Sequence, residues 1–206
     1  MSESANTIHC VFYSHPWAID AIRGQKIGAL EDTLLIDLSS ASQIAHMLGK
    51  GSEARRGIGA LLAAPDRLDE LVEEHRRLAA PIVLAGQPGV PDSVQVAAVG
   101  LLATLKSRFR RFVLLIHVNE YDRYVHALPY VEKYFFLWDL ADPPAYPLAN
   151  LGRTLEALGA LTRESWGGFF CFVHPQRRIP DAERRMGQLR TVIQMAPALA
   201  PPKAAG

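Results

Sequence analysis

The sequence predicts an α/β fold in three layers, a mostly parallel sheet of about five or six strands with helices on both faces. Three observations carry this. Six short apolar runs, rich in β-branched and aromatic residues, punctuate the chain. Most are separated by stretches whose apolar residues recur at helical spacing. The run Phe112-Val113-Leu114-Leu115-Ile116 is apolar at every position, as in a strand covered on both faces. Strands alternating with helices pair in parallel through crossovers.

The elements follow in order. Residues 1–6 read as a loose tail. Ile8 to Tyr13 forms a first strand that ends at Ser14-His15-Pro16. Residues 17–30 form a helix with Ile19, Ile22, Ile27 and Leu30 on its apolar side, weakened by Gly24 and Gly28. Thr33 to Ile36 is a second strand, ending at Asp37. A helix with Ile44, Met47 and Leu48 follows, closed by Lys50-Gly51. Helical spacing returns over 53–64. Pro65 opens a further helix with the stripe Leu68, Leu71, Val72, His75 and Leu78, acids early and arginines late.

Pro81 to Ala85 reads as a third strand, and Gly86 to Pro91 as a loop. A helix runs from Asp92 or Ser93 to about Lys106. The strand Phe112–Ile116 ends at His117, and a short helix occupies 121–130. Tyr134 to Trp138 is a strand ending at Asp139. After the proline-rich break 142–147 comes a helix over 148–162, then a last strand, Gly168 to Val173, ending at His174. Pro180-Asp181 opens a final helix to about Met195. The expected organisation is one domain over 7–195, with a disordered Pro/Ala-rich tail over 196–206.

Composition narrows the functional classes. The chain has 206 residues, 49% hydrophobic and 21% charged, as in ordinary globular proteins. Its 22 basic and 21 acidic side chains leave a net charge of +1, which argues against nucleic acid as a partner. The polar, acidic start lacks a signal peptide pattern, and no apolar stretch approaches a membrane span. A cytoplasmic protein with no membrane partner is expected. Cys10 and Cys171 lie in apolar runs and read as buried free thiols.

Five polar residues directly follow strands: His15, Asp37, His117, Asp139 and His174. In a parallel sheet the carboxyl ends of strands share one edge, where ligands bind. Histidines and carboxylates gathered there can serve acid–base chemistry or hold a divalent metal, with Glu120 or Asp122 as a further base or ligand. The opposing reading is that polar residues at strand ends meet water and cap turns. No HExxH, CxxC, GxGxxG, GxSxG or GxxxxGK[ST] pattern occurs. The segment 116–126 is dense in aromatics and polar groups, which suits an interface. Two basic clusters, Lys106/Arg108/Arg110/Arg111 and Arg177/Arg178/Arg184/Arg185, suit solvated faces or phosphate.

The expectation is therefore a protein-interaction domain with a regulatory, adaptor or assembly role. Its partner is another protein, including a second copy of the chain as a homodimer. The alternative is a hydrolase or small-ligand-binding protein using His117, Asp139, His15 and His174 as a strand-end cleft, in one version metal-dependent. A third reading is phosphate or nucleotide binding through the basic clusters. Neither a cofactor nor a metal can be specified from the residues.

Overall fold

Strand β5 (Arg111–His117) is the spine of the molecule, and Phe112 to Ile116 are buried without a break, as their uninterrupted apolar run requires. It lies between β2 (Thr33–Asp37) and β1 (Thr7–Tyr13), parallel to both. Beyond β1 come β6 (Lys133–Asp139) and β7 (Trp166–Phe172), also parallel. On the other side β4 (Ile82–Val83) pairs in parallel with β2, and β3 (Val72–Glu73) closes the edge antiparallel to β4. The sheet has seven strands in the order β3-β4-β2-β5-β1-β6-β7. The computed structural model describes residues 7–24, 32–39, 43–50, 57–75, 78, 80–85, 109–142, 146–173, 179–196 and 199–200.

The two faces of the sheet carry separate cores. Alternation sends Val11, Tyr13, Leu35, Val113 and Leu115 to one face, where they pack with α1 (Ala18–Gly24) and α2 (Gln43–Met47) through Ile19, Ile22 and Ile44. Phe12, Ile36, Leu114 and Phe136 face the other way. They meet α3 (Ile58–Ala63), α4 (Leu68–Leu71), α5 (Tyr146–Ala157) and α6 (Ala182–Met195). This is the three-layer α/β architecture expected from the alternation of elements.

Several local expectations change. The stripe from Leu68 to Leu78 does not form one helix. A 3-10 turn over Pro65–Arg67 leads into the single turn of α4, and the chain turns extended at Val72 (ψ 127). Val72 and Glu73 then pair with Val83 and Ile82. A β-branched residue beside an open strand edge gains more from the ladder than from another helical turn, so tertiary pairing overrides the 3.6-residue period. The segment 121–130 forms 3-10 turns over Val118–Tyr124 and Leu128–Tyr130. Helix α2 is closed by Gly49, whose φ of 76° allows the Lys50 amide to bond the Ala45 carbonyl at 2.8 Å. Gly51 lies outside the described residues, as do the tail 1–6, the expected helix over 92–106 and residues 25–30 of the first helix.

The core continues past the final helix. Ala196 and Leu199 are fully buried. They press so closely on α5 that a Cβ on Gly152 would stand 2.7 Å from the Ala196 Cβ and 2.8 Å from the Leu199 Cγ. Cys10 is buried, whereas Cys171 is exposed, and both are free thiols. Strand β6 separates the strands that carry them.

Candidate functional site

The connections leaving β1 and β5 go to opposite faces. Helix α1 follows β1 and packs with Val11 and Tyr13, while the turn Val118–Tyr124 follows β5 and packs with the other core. Adjacent parallel strands with divergent connections open a crevice at their carboxyl ends. That position here is flanked by Tyr13 and Ser14 at the end of β1 and His117 at the end of β5, with Asp37 at the end of β2 and Ser39 two residues beyond it.

Ser14 joins three strands. Its amide donates to the Leu137 carbonyl at 3.1 Å. Its hydroxyl accepts from the Asp139 amide at 2.8 Å, and its carbonyl lies 3.2 Å from Nε2 of His117. The other ring nitrogen of His117, Nδ1, accepts from the Asn119 amide at 3.3 Å. That contact assigns the proton to Nε2, which therefore donates to Ser14. The His117 ring also stands edge-on to Tyr13, centroids 5.4 Å apart.

Of the residues singled out in the sequence, His117 and Asp139 are thus brought together, but through Ser14 and in structural bonds. Asp139 is fully buried and its Oδ1 accepts from the Ala141 amide at 2.8 Å, the Asx-type turn expected of a strand-end aspartate. His15 makes the same kind of local turn, with Nδ1 accepting from the Trp17 amide at 3.4 Å. His174 lies outside the described residues. Among the described residues no group of three His, Cys, Asp or Glu side chains is placed to hold a metal.

A different set of groups carries unmet polar demand. Oδ1 of Asp37 accepts from the Ser39 amide at 3.0 Å, but Oδ2 has no hydrogen-bond partner. The Tyr13 hydroxyl and the Ser39 hydroxyl are also buried without partners. Burial pushes the Asp37 carboxyl up to about 6, against the opposing pull of the Ser39 and Ala85 amides, and Glu120 raises it further. Burial likewise drives the Tyr13 phenol well above its ordinary range, reinforced by the charge of Asp37 and, more weakly, of Glu120. The nearby Ser39 hydroxyl favours the charged form of both groups without reaching hydrogen-bond geometry with either. Buried polar atoms are nearly always paired, so these three, gathered at one strand edge, carry unmet hydrogen-bonding capacity. The sequence signal for Tyr13 and Ser39 was slight: one ends a strand buried continuously from Cys10 onward, and the other sits two residues past a strand-end aspartate.

The basic clusters part company. Arg111 begins β5 at the amino edge, and Arg110 just before it pairs with Asp32 at 3.8 Å. Arg185 reaches the opposite edge and donates to the Ala141 carbonyl at 2.6 Å. Lys106, Arg108, Arg177 and Arg178 lie outside the described residues.

No family model matches the chain, and no curated protein matches it. Solved structures do share its fold. The kinase domain of VpsO is 19% identical, with a TM-score of 0.63, over 82% of this chain and 85% of that one. Cobyrinic acid a,c-diamide synthase from Mycobacterium smegmatis, with an ATP analogue and magnesium bound, is 12% identical at a TM-score of 0.59, over 92% and 81%. An ATP complex of a McdA variant from Cyanothece is 13% identical at 0.58, over 96% and 82%. The chain has the fold of these proteins.

This finding corrects the functional expectation. The fold is shared with kinase domains and ATP-bound proteins. It therefore overturns both the regulatory, adaptor or assembly domain and the alternative hydrolase or small-ligand binder with a His/Asp cleft. The geometry agrees, since His117, Asp139 and His15 serve as turn and strand ties. No helix among the described residues is long and apolar enough to cross a membrane.

Proposed function

We propose that this chain binds a nucleotide at the crevice between β1 and β5, through the nucleoside end of the ligand. The observation that carries the proposal is the orphaned trio of Tyr13 hydroxyl, Asp37 Oδ2 and Ser39 hydroxyl. A carboxylate oxygen needs a donor, and the hydroxyls need one partner each. A ribose diol or an exocyclic amine supplies such groups. The likeness to ATP-bound proteins of the same fold supports a nucleotide over other polar ligands. The trio is closed off from solvent in this conformation, so the ligand enters by opening the carboxyl edge.

A cytoplasmic location, where nucleotides are abundant, belongs to the same proposal. So does pairing with a second copy of the chain, for which β7, an end strand of the sheet among the described residues, offers an edge. His117, Asp139 and His15 keep a part in this reading as residues that hold the crevice walls.

Calorimetric titration with nucleosides and nucleotides tests the proposal. The expected result is saturable binding that Asp37→Asn and Tyr13→Phe each weaken at least about tenfold, or 1.4 kcal/mol. Absence of binding by every nucleoside and nucleotide up to millimolar concentration sinks it.

A further inference from the structure

We infer that the loop between β1 and α1 is a closed latch that holds no phosphate chain, so that a nucleotide taken by this protein gains nothing from its terminal phosphates. The part concerning the ligand rests on the function proposed above. The part concerning the loop stands on its own geometry.

A strand-to-helix loop grips phosphates with backbone amides that curl around the anion, glycines that permit the curl, and a lysine that reaches the outer phosphates. The segment in that position here is Ser14-His15-Pro16-Trp17, without a glycine or a lysine. Two of its amides are already bonded and one position has none. Ser14 donates to the Leu137 carbonyl at 3.1 Å, Pro16 has no N–H, and Trp17 donates to His15 Nδ1 at 3.4 Å. The first amides of α1 are also taken, with Ala18, Ile19 and Asp20 bonding the carbonyls of His15, Pro16 and Trp17 at 2.9, 3.2 and 3.1 Å.

The remaining polar groups of Ser14 tie the loop to β5 and β6 through His117 and Asp139. Freeing the Ser14 amide for phosphate would break its bond to β6.

Charge points the same way. The acids acting on the crevice are Asp37 and Glu120. Lys50 pairs with Glu73 at 3.2 Å on the far edge of the sheet, and Lys133 donates to the Glu164 carbonyl at 2.6 Å at the amino end of β6. Among the described residues no lysine therefore stands at the carboxyl end of β1. Phosphate oxygens only accept hydrogen bonds and carry negative charge, so an orphaned carboxylate is a poor neighbour for them.

The test compares ATP, ADP, AMP and adenosine as ligands of the whole chain by calorimetry, each with magnesium and with chelator, and follows phosphate release from ATP. Equal affinities within about threefold (under 1 kcal/mol), indifferent to magnesium and with no phosphate released, support both the inference and the proposed function. If no ligand binds, the proposed function fails while the loop reading stands. ATP binding tenfold or more above AMP, or magnesium-dependent phosphate release, overturns the inference and leaves nucleotide binding intact. Ser14→Ala provides a second readout. A latch predicts a lower Tm with an unchanged ratio of ATP to AMP affinity, and selective loss of ATP affinity contradicts it.

Discussion

The two ends of β1 present opposite electrostatic environments on the same face of the sheet. His9, Val11 and Tyr13 share that face by alternation, and Val11 between them is fully buried. At the amino end, His9 lies near Arg111 and Lys133, with its ring 5.8 Å from Phe135 and Nδ1 unpartnered. Burial, helped by those two cations, lowers its pKa to about 4. At the carboxyl end, Tyr13 lies near Asp37 and Glu120. One end gathers cations around a neutral imidazole, and the other gathers acids around a neutral phenol. A polyanion would be better received at the amino edge, yet the crevice made by the topology is at the acidic edge. The fold therefore fixes where a ligand sits, while the side chains set which part of the ligand can sit there.

The largest expected effect follows from Asp37. Its folded pKa of about 6 lies above the ordinary 3.8, so the folded state holds the proton more tightly. The penalty is absent below about pH 4, grows as pH rises, and is complete above about pH 6, where it amounts to about 3 kcal/mol. Asp37→Asn removes the buried charge and should stabilise the ligand-free protein by that order at pH 7.5, measured by urea denaturation. The same variant should bind nucleoside poorly. A variant that is both less stable and unimpaired in binding would show that Oδ2 has a native partner and would break the contrast between the two ends.

Tyr13→Phe comes next. Deleting an unpartnered buried hydroxyl should stabilise the free protein by about 1 kcal/mol, because the phenol loses a desolvated group and no bond. Ser14→Ala should move stability the other way by a similar amount, about 1 kcal/mol, since its hydroxyl accepts a real bond from the Asp139 amide. Thermal denaturation of the pair sharpens the comparison within one crevice. Adjacent hydroxyls, one orphaned and one bonded, should respond with opposite signs.

Much of this fold was legible because its strands are marked by composition. The runs around Val11, Leu35, Leu114 and Phe136 are apolar or aromatic without competing periodicity, and each forms the strand expected. The segment from Leu68 to Leu78 misled because a helical stripe says nothing about a neighbouring strand edge, and β4 captured Val72 and Glu73. The site was half legible. Strand-end positions pointed to the carboxyl edge, where the proposed site lies, and Asp37 was among them. His117 and Asp139 attracted attention by residue type, but their bonds to Ser14 show them holding strands together. Whether a polar atom is paired depends on tertiary contacts, so the orphaned hydroxyl of Tyr13 could not be read from a residue that looks like ordinary core.

The smallest effect tests the contrast most directly. His9 titrates at about 4 when folded and near 6.5 when unfolded. As pH falls below 6.5 the unfolded chain takes up a proton that the folded one refuses, so stability declines until about pH 4. Asp37 does the reverse across much of the same range, gaining stability as pH falls from 6 toward 4. The two ends of the strand therefore offset each other in the wild-type protein, with His9 the weaker because its ring is partly exposed. His9→Phe should make the protein gain stability on acidification through this window, and Asp37→Asn should make it lose stability. The double variant should be nearly flat. Urea midpoints at pH 4.5, 5.5 and 7 for the three variants measure this, and parallel pH profiles in both single variants would mean that the two sites do not titrate as opposed groups.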